Sequence, residues 1–258
     1  MRKLTLCLLL VAGLVCAPAA RMPRARADAG SATVLRQRVV IVRRGEVARK
    51  FPERRRAVVN YPVVSGIADP AVLKKVRALL AVKNIFDTSL AQYREDAWLS
   101  EFDFKVNYNR NYVLDISFWQ EGVGAYPDTH RRHFAVNLKN GEVIKAADAF
   151  EPAALPRLAE MANAKLRAEV AEQVAEVEKD KGMDAGEKTS LKESLGALAF
   201  GVENLDEFEV SDKGLTFLYD AGFPHAIQAL APVGRYFFSY AELARYVKRD
   251  GPLGVFVK

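Results

Sequence analysis

The chain has 258 residues, of which 50% are hydrophobic and 27% are charged, and its formal net charge is +6. This length allows one large domain or two small ones, and the apolar content is sufficient for a sizeable core. Such a composition excludes a disordered or low-complexity chain, which would be depleted in apolar residues.

Residues 1–27 have the pattern of a secretory signal peptide. A charged beginning precedes an apolar run at residues 4–17, and small-residue cleavage patterns follow at residues 17–19 and 25–27, of which we favour cleavage after Ala27. The run is too short for a comfortable membrane span, so we expect cleavage and a periplasmic or secreted mature chain that is not membrane-spanning. Two alternatives stay open: a retained anchor, and a lipoprotein modified at Cys16, which the preceding Val15 disfavours.

The predicted signal peptide accounts for most of the positive charge and for both cysteines. Its removal takes away five cations and no acid, which lowers the net charge from +6 to +1. The charge therefore gives no reason to expect nucleic acid as a partner. Cys7 and Cys16 leave with it, so we expect no disulfide, no thiol nucleophile and no thiolate metal site in the mature chain.

The first elements after the signal peptide are two predicted strands and a helix. Residues 34–42 and 57–66 are rich in β-branched side chains, and Pro62 predicts an edge or bulge in the second strand. The basic run at residues 49–56 between them is either a phosphate-binding patch or, as we expect, a solvated loop. Asp69, followed by proline, predicts the start of an amphipathic helix of about 15 residues.

Residues 98–122 predict the clearest hairpin of the chain. Apolar residues from Phe102 to Tyr108 alternate with polar ones, and residues 109–111 supply the turn. In the second strand, each face carries its own set of side chains. One face has Val113, Asp115, Ser117 and Trp119; the other has Leu114, Ile116 and Phe118.

Two of the chain's three histidines lie in the next stretch, residues 124–144. His130 and His133 precede a strand and a second turn at Asn140-Gly141, and a spacing of three directs them to opposite faces of a strand. A metal pair on a strand needs a spacing of two, and no acidic residue of the same strand supports either histidine. We expect polar residues beside a turn, whose replacement by alanine leaves folding nearly intact.

The rest of the chain predicts helices followed by strands. Helices at residues 152–181 and 187–198 either pack on the sheet, as we expect, or form a dimerising coiled coil. Strands at residues 208–210 and 215–219 precede a proline-rich loop and a closing helix at residues 240–247. The sequence thus predicts an α+β fold, an antiparallel sheet of hairpins covered on one face by two or three helices.

We divide the chain into a signal peptide (1–27), an N-terminal strand with a basic linker (28–56) and an α+β domain (57–258). Seven sequence features of this chain follow one another in a distinctive order. They are Tyr61-Pro62 with Gly66, Gly124-Ala125-Tyr126-Pro127, residues 134–144, Asp148-Ala149-Phe150, residues 208–219, residues 232–238, and Ser239-Tyr240-Ala241-Glu242-Leu243.

This order resembles the extracytoplasmic domain of the lysozyme-sensing anti-sigma factors, a domain that also occurs beside peptidoglycan deacetylases. The resemblance covers about three quarters of the chain. It departs from the family pattern at Tyr126, where many members have histidine. No internal transmembrane helix or sigma-binding segment precedes the domain, so we expect the sensing module alone.

The resemblance implies a non-enzymatic, cofactor-free binding module that recognises a cell-wall hydrolase such as lysozyme, or peptidoglycan itself. Lysozymes are often cationic, so acidic turns could attract one, and exposed aromatic rings could stack on sugars, although each ring could equally fill a half-buried sheet. The candidate binding residues are Tyr108, Tyr112, Trp119, Tyr126, Glu95, Asp96, Glu207 and His225.

Two other classes of function stay open. One is an envelope protein that assembles through the helix at residues 152–181. The other is a cell-wall hydrolase, for which Asp115 and Glu121 are the best carboxylate pair. We predict no catalytic residues and no metal ligands, because the chain has no metalloprotease helix motif, no nucleophile elbow and no phosphate-cradling glycine loop.

Overall fold

A six-stranded sheet and a separate three-stranded sheet form the framework of the protein, as seen in a computed structural model. The structure describes residues 30–258, apart from the side chains of residues 225 and 226, so the predicted signal peptide lies outside the described residues. The strand orders are β1-β2-β3-β4-β5-β6 and β7-β8-β9. The strands are β1 Thr33–Val42, β2 Arg56–Ser65, β3 Leu99–Arg110, β4 Val113–Val123, β5 Pro127–Asn137, β6 Glu142–Val143, β7 Phe208–Val210, β8 Gly214–Leu218 and β9 Arg235–Ser239.

Eight α-helices accompany the two sheets in the described part of the chain, which confirms the α+β class. None of the helices in that part is both long enough and apolar enough to cross a membrane. The helices are α1 Gly45–Lys50, α2 Pro70–Leu79, α3 Val82–Ile85, α4 Gln92–Glu95, α5 Ala146–Ala149, α6 Leu155–Lys179, α7 Ala185–Ala197 and α8 Tyr240–Leu243. Short 3-10 helices occur at Pro52–Arg54, Pro152–Ala154, Val202–Asp206, His225–Leu230 and Gly254–Val257.

The two faces of the six-stranded sheet contact different cores. One face, which we call the helix face, carries Leu114, Ile116 and Phe118 and packs against α2, α3 and α4. The opposite face, which we call the polar face, carries Asp115 and Trp119. Its end near Val113 joins a second core built from α6, α7 and the three-stranded sheet. The predicted alternation along β4 is therefore confirmed.

A β-bulge in β3 changes the predicted direction of one aromatic side chain. Val106 pairs with Ile116 and Tyr108 pairs with Asp115, so Asn107 is an extra residue without a partner in β4. The bulge turns Tyr108 away from the helix face and into the second core, where it is 5% exposed. The expectation that Tyr108 is an exposed binding aromatic is wrong.

The turn of the β3–β4 hairpin is shifted from the predicted position. Its central residues are Asn111 and Tyr112, with φ of 56° and 62°, instead of residues 109–111. Positive φ at both central residues is the requirement of the tight hairpin turn whose twist matches the strands. Asparagine is a common residue in such a turn, but tyrosine carries no such signal in the sequence.

Two other elements differ in detail from the prediction. The β2–β3 pairing is parallel, and on β2 it includes only Val58 and Val59. Pro62 lies beyond this pairing, so the N–H that proline lacks is not needed as a donor to a β3 carbonyl. The helix predicted after Asp69 is split into α2 and α3. Asp69 caps α2 as expected, since its carboxylate accepts the backbone N–H of Ala71 at 2.7 Å.

The connection between β1 and β2 is fixed by a buried arginine. Arg43 is 0% exposed, and its guanidinium donates to the carbonyls of Asp96 at 2.6 Å, Leu99 at 2.7 Å and Tyr93 at 3.2 Å. A further hydrogen bond goes to the carbonyl of Arg54. Burial lowers the pKa of Arg43. One side chain thereby ties the β1–β2 connection to residues 93–99, and among the described residues its hydrogen-bond acceptors are four backbone carbonyls.

We predict that Arg43→Leu lowers the free energy of unfolding by about 3 kcal/mol or more, because several buried carbonyls lose their donor. The control is Arg44→Leu at the exposed neighbouring position, which should change stability by less than about 0.5 kcal/mol. Urea unfolding monitored by circular dichroism measures both. Equal effects of the two substitutions would show that Arg43 does not hold this connection.

Candidate functional site

A fully buried carboxylate lies where the two sheets meet. Asp115 is 0% exposed and accepts three hydrogen bonds, from Asn107 Nδ2 at 2.8 Å, Val210 N at 2.7 Å and His133 Nε2 at 3.0 Å. Asn107 is the bulged residue of β3, His133 lies on β5 and Val210 ends β7. The carboxylate thus connects three strands of the large sheet to the edge of the small sheet.

His133 connects Asp115 to Ser117. Its Nδ1 lies 3.0 Å from Ser117 Oγ, which also accepts a hydrogen bond from Asn107 Nδ2 at 2.7 Å. Because the Asp115 carboxylate can only accept, we assign the imidazole proton to Nε2, so Nδ1 accepts the Ser117 hydroxyl proton. Among the described residues, no buried side-chain nitrogen or oxygen lacks a hydrogen-bond partner.

The same three residue types serve as nucleophile, general base and orienting carboxylate in serine hydrolases, which makes catalysis the first alternative to a structural role. The His133 side chain is only 6% exposed, and two cavities of the protein, of about 320 and 800 Å³, are lined by other residues. The Ser117 hydroxyl oxygen also accepts a hydrogen bond from Asn107. Because the imidazole is nearly buried and the Ser117 hydroxyl is engaged by both His133 and Asn107, we interpret the network as structural.

The expectation that both histidines are polar residues beside a turn is wrong for His133, which is nearly buried within β5. Its acidic partner comes from the neighbouring strand, which a search along β5 alone does not find. The sequence contains a signal for this cross-strand pairing. If the turn between β4 and β5 is centred on Ala125, the antiparallel register places Ser117 directly opposite His133.

His130 does point to the other face, and the expectation that no acidic residue of its own strand supports it is wrong, because its Nε2 lies 3.4 Å from Asp128 Oδ2. The His130 side chain is 53% exposed, and its ring centroid lies 5.2 Å from that of Trp98.

An ion pair borders the buried network. Arg235 Nη1 donates to Glu209 Oε1 at 3.0 Å. Burial alone would raise the pKa of Glu209, but the hydrogen bond and charge of Arg235 outweigh it and leave this pKa below its usual value. The same hydrogen bond raises the pKa of Arg235. A lowered carboxylate pKa means that this pair stabilises the fold at neutral pH and ceases to do so as acid protonates Glu209.

The polar face of the large sheet provides the candidate binding site. We define the Trp119 face as Glu101, Asp103, Trp119, Glu121 and Arg131. Trp119 is half-buried and lies directly between Asp103 on β3 and Arg131 on β5. Directly opposite residues have Cβ atoms about 4.5–5.5 Å apart, so the indole has a carboxylate on one side and a guanidinium on the other.

Two further carboxylates lie one row away on the Trp119 face. Glu101 on β3 is directly opposite Glu121 on β4. Like charges in opposite positions destabilise a strand pair, and Glu121 is exposed to solvent. Asp103, by contrast, is neutralised by an ion pair with Arg36. The negative charge of the Trp119 face is therefore concentrated at Glu101 and Glu121.

The other predicted binding aromatics do not join Trp119. Tyr126 is 67% exposed, in the β4–β5 turn at one end of the sheet. Tyr112 lies in the β3–β4 turn at the opposite end, with Lys139 Nζ 5.1 Å from its ring centroid. His225 begins a 3-10 helix, and its side chain lies outside the described residues.

The predicted acidic residues are likewise dispersed. Glu95 and Asp96 are exposed at the end of α4, which packs under the helix face, whereas Glu207 is exposed before β7 in the other half of the protein. Asp115 and Glu121 do not form a catalytic pair, since six residues of one strand separate them by about 20 Å. In the part of the chain that the structure describes, no cluster of histidine and acidic side chains could hold a metal ion.

Comparisons with known proteins extend only to the fold. No protein-family model and no curated protein matches the chain. A DUF3298 family protein from Pseudomonas aeruginosa PAO1 is similar in structure, with a TM-score of 0.51 and 14% identity over 84% of this chain and 94% of that chain. A DUF3298 family member from Bacteroides fragilis NCTC 9343 gives a TM-score of 0.52 and 14% identity over 88% and 96%. Both are members of a domain family of unknown function, and the chain shares their fold.

We predict that His133→Ala lowers the free energy of unfolding by about 2 kcal/mol, because Asp115 and Ser117 each lose a buried hydrogen bond. His130→Ala is the matched control, and its exposed ring should contribute less than about 1 kcal/mol. Denaturant unfolding at neutral pH measures both variants. A greater loss from His130→Ala would contradict the structural role of His133.

Proposed function

We propose that the mature chain is an exported, non-enzymatic binding module that recognises a cell-wall hydrolase of the lysozyme type through the Trp119 face. The observation that carries the proposal is the position of Trp119 and Arg131 beside the paired carboxylates of Glu101 and Glu121. Tryptophan and arginine are the residues most enriched at the energetic centres of protein–protein interfaces. A strand-borne group of this kind is also held rigidly, which reduces the entropic cost of binding.

The charge of the Trp119 face supports a cationic partner. Opposed carboxylates at Glu101 and Glu121 repel each other in the free protein, and a lysine or arginine from a partner would relieve that repulsion. Lysozymes are often cationic, so the charges are complementary. The sequence resemblance to lysozyme-sensing domains supports the same class of target, and the predicted signal peptide supports export to the compartment where such enzymes act.

Peptidoglycan itself is the second candidate target. A half-buried indole between a carboxylate and a guanidinium could stack on a sugar ring while its neighbours bond the ring's polar groups. The two targets differ in one measurable property. Attraction of a cationic protein by Glu101 and Glu121 weakens with salt, whereas stacking on an uncharged sugar depends little on ionic strength.

We predict that Trp119→Ala weakens retention on immobilised lysozyme about thirtyfold, the effect of losing a central interface residue. The experiment measures how strongly a protein of residues 28–258 is retained on immobilised lysozyme and on insoluble peptidoglycan, at low and moderate salt. Phe237→Ala is the matched control, because Phe237 is an exposed aromatic residue on β9 of the other sheet. Glu101→Gln with Glu121→Gln should weaken lysozyme binding mainly at low salt.

Each outcome of this experiment has a defined meaning. Salt-sensitive retention on lysozyme that requires Trp119 supports the proposal. Retention on peptidoglycan alone moves the target to the wall glycan. Retention on neither ligand, or equal losses from Trp119→Ala and Phe237→Ala, contradicts the assignment of function to the Trp119 face.

A further inference from the structure

A strongly basic surface lies at the closed end of the β1–β2 hairpin. Val42 pairs with Arg56, so residues 43–55 form a loop with its ends fixed together. We define the basic tip as the exposed cations of this region: Arg44, Arg49, Lys50, Arg55 and Arg56. Glu46 and Glu53 are the only acids in this stretch of the sequence.

In the part of the chain that the structure describes, the cations of the basic tip form no ion pair with a carboxylate. Within residues 30–258, no carboxylate forms an ion pair with Arg44, Arg49, Arg55 or Arg56, and Glu53 pairs with Arg54 instead. Cations held close together without counter-charges repel each other, which raises the free energy of the isolated tip. A polyanionic surface would remove that repulsion.

Apolar side chains accompany these cations at the surface. Val42 is exposed at 41%, and α1, which contains Val47, has no buried residue. The ring of Phe51 is half-buried beneath the cations of Lys50 and Arg54, at 5.6 and 5.0 Å from its centroid. Because the six-residue helix α1 has no buried residue, packing contributes little to its stability. Exposed apolar groups among cations are typical of segments that lie in a membrane interface.

Arg43 holds the basic tip in place. Its guanidinium is bound by four carbonyls beneath the tip, and Arg54 Nη1 donates to the carbonyl of Val123 at the end of β4. The tip is thus rigidly connected to the large sheet, and binding would order few additional groups. Preorganisation of this kind favours a surface-binding role over that of a flexible loop.

We propose that the basic tip attaches the protein peripherally to an anionic phospholipid surface. Each lysine or arginine near such a surface is attracted to its anionic headgroups, and the apolar groups at Val42, Val47 and Phe51 would enter the interfacial region. Nucleic acid fits less well, because it would not bury these apolar groups. This inference is independent of the target of the Trp119 face.

The test is co-sedimentation of residues 28–258, which include all described residues, with vesicles of phosphatidylcholine with and without phosphatidylglycerol. The protein should sediment only with the anionic vesicles, and less at moderate salt than at low salt. The double variant R49E/R55E should bind about thirtyfold more weakly, from the loss of two cations alone. The matched control K181E/R249E reverses two exposed cations in the other half of the protein and should bind like the original chain.

Thermal unfolding of both double variants checks that they fold, as exposed positions should allow. Equal binding to neutral and anionic vesicles, or equal losses from the two double variants, would overturn the proposal. Failure to sediment with any vesicle would do the same. Retention by single-stranded DNA without vesicle binding would instead assign the tip to a different polyanion and also refute the membrane proposal.

Discussion

The architecture depends on one buried charge, the carboxylate of Asp115. Removing a carboxylate from water costs several kcal/mol unless donors replace the water, and in this protein an amide, an imidazole and a backbone N–H replace it. The three donors come from β3, β5 and β7, so the requirement to satisfy one anion fixes the position of the small sheet on the large one. Burial of apolar groups alone would allow several positions of the small sheet on the large sheet, whereas a hydrogen-bonded anion between them specifies a single arrangement.

The same constraint separates the functional surfaces. The bulge that directs Asn107 toward Asp115 also turns Tyr108 into the second core, and Val210 of the small sheet contacts the polar face at Asp115. Beyond that point, Trp119 and its charged neighbours remain accessible. The basic tip lies at the far end of the same sheet, where Arg54 contacts the end of β4. A partner could therefore occupy the Trp119 face while the basic tip contacts a second surface.

Local patterns in the sequence predicted the elements but not their long-range contacts. The alternation along β4 and the cap at Asp69 follow from period and residue type within a few residues. The direction of Tyr108 depends on a bulge, and the role of His133 depends on which β4 residue lies opposite it. Arg43 carries no local sequence signal for burial, yet it is buried among carbonyls from Tyr93 to Leu99, about fifty residues away. Trp119 was the one predicted aromatic that lies on an accessible, charged sheet face.

The two tryptophans of the chain allow the most direct test of whether the Trp119 face is the binding surface. Trp119 lies on the proposed binding face, whereas Trp98 packs against His130 on the opposite face, where a side chain at Gly122 would contact it. Their indole N–H signals can be followed by nuclear magnetic resonance while unlabelled lysozyme is added to residues 28–258. We expect the Trp119 signal to shift or broaden with complex formation and the Trp98 signal to stay unchanged. A change confined to Trp98, or a complex that leaves both signals unaltered, would contradict the assignment of binding to the Trp119 face.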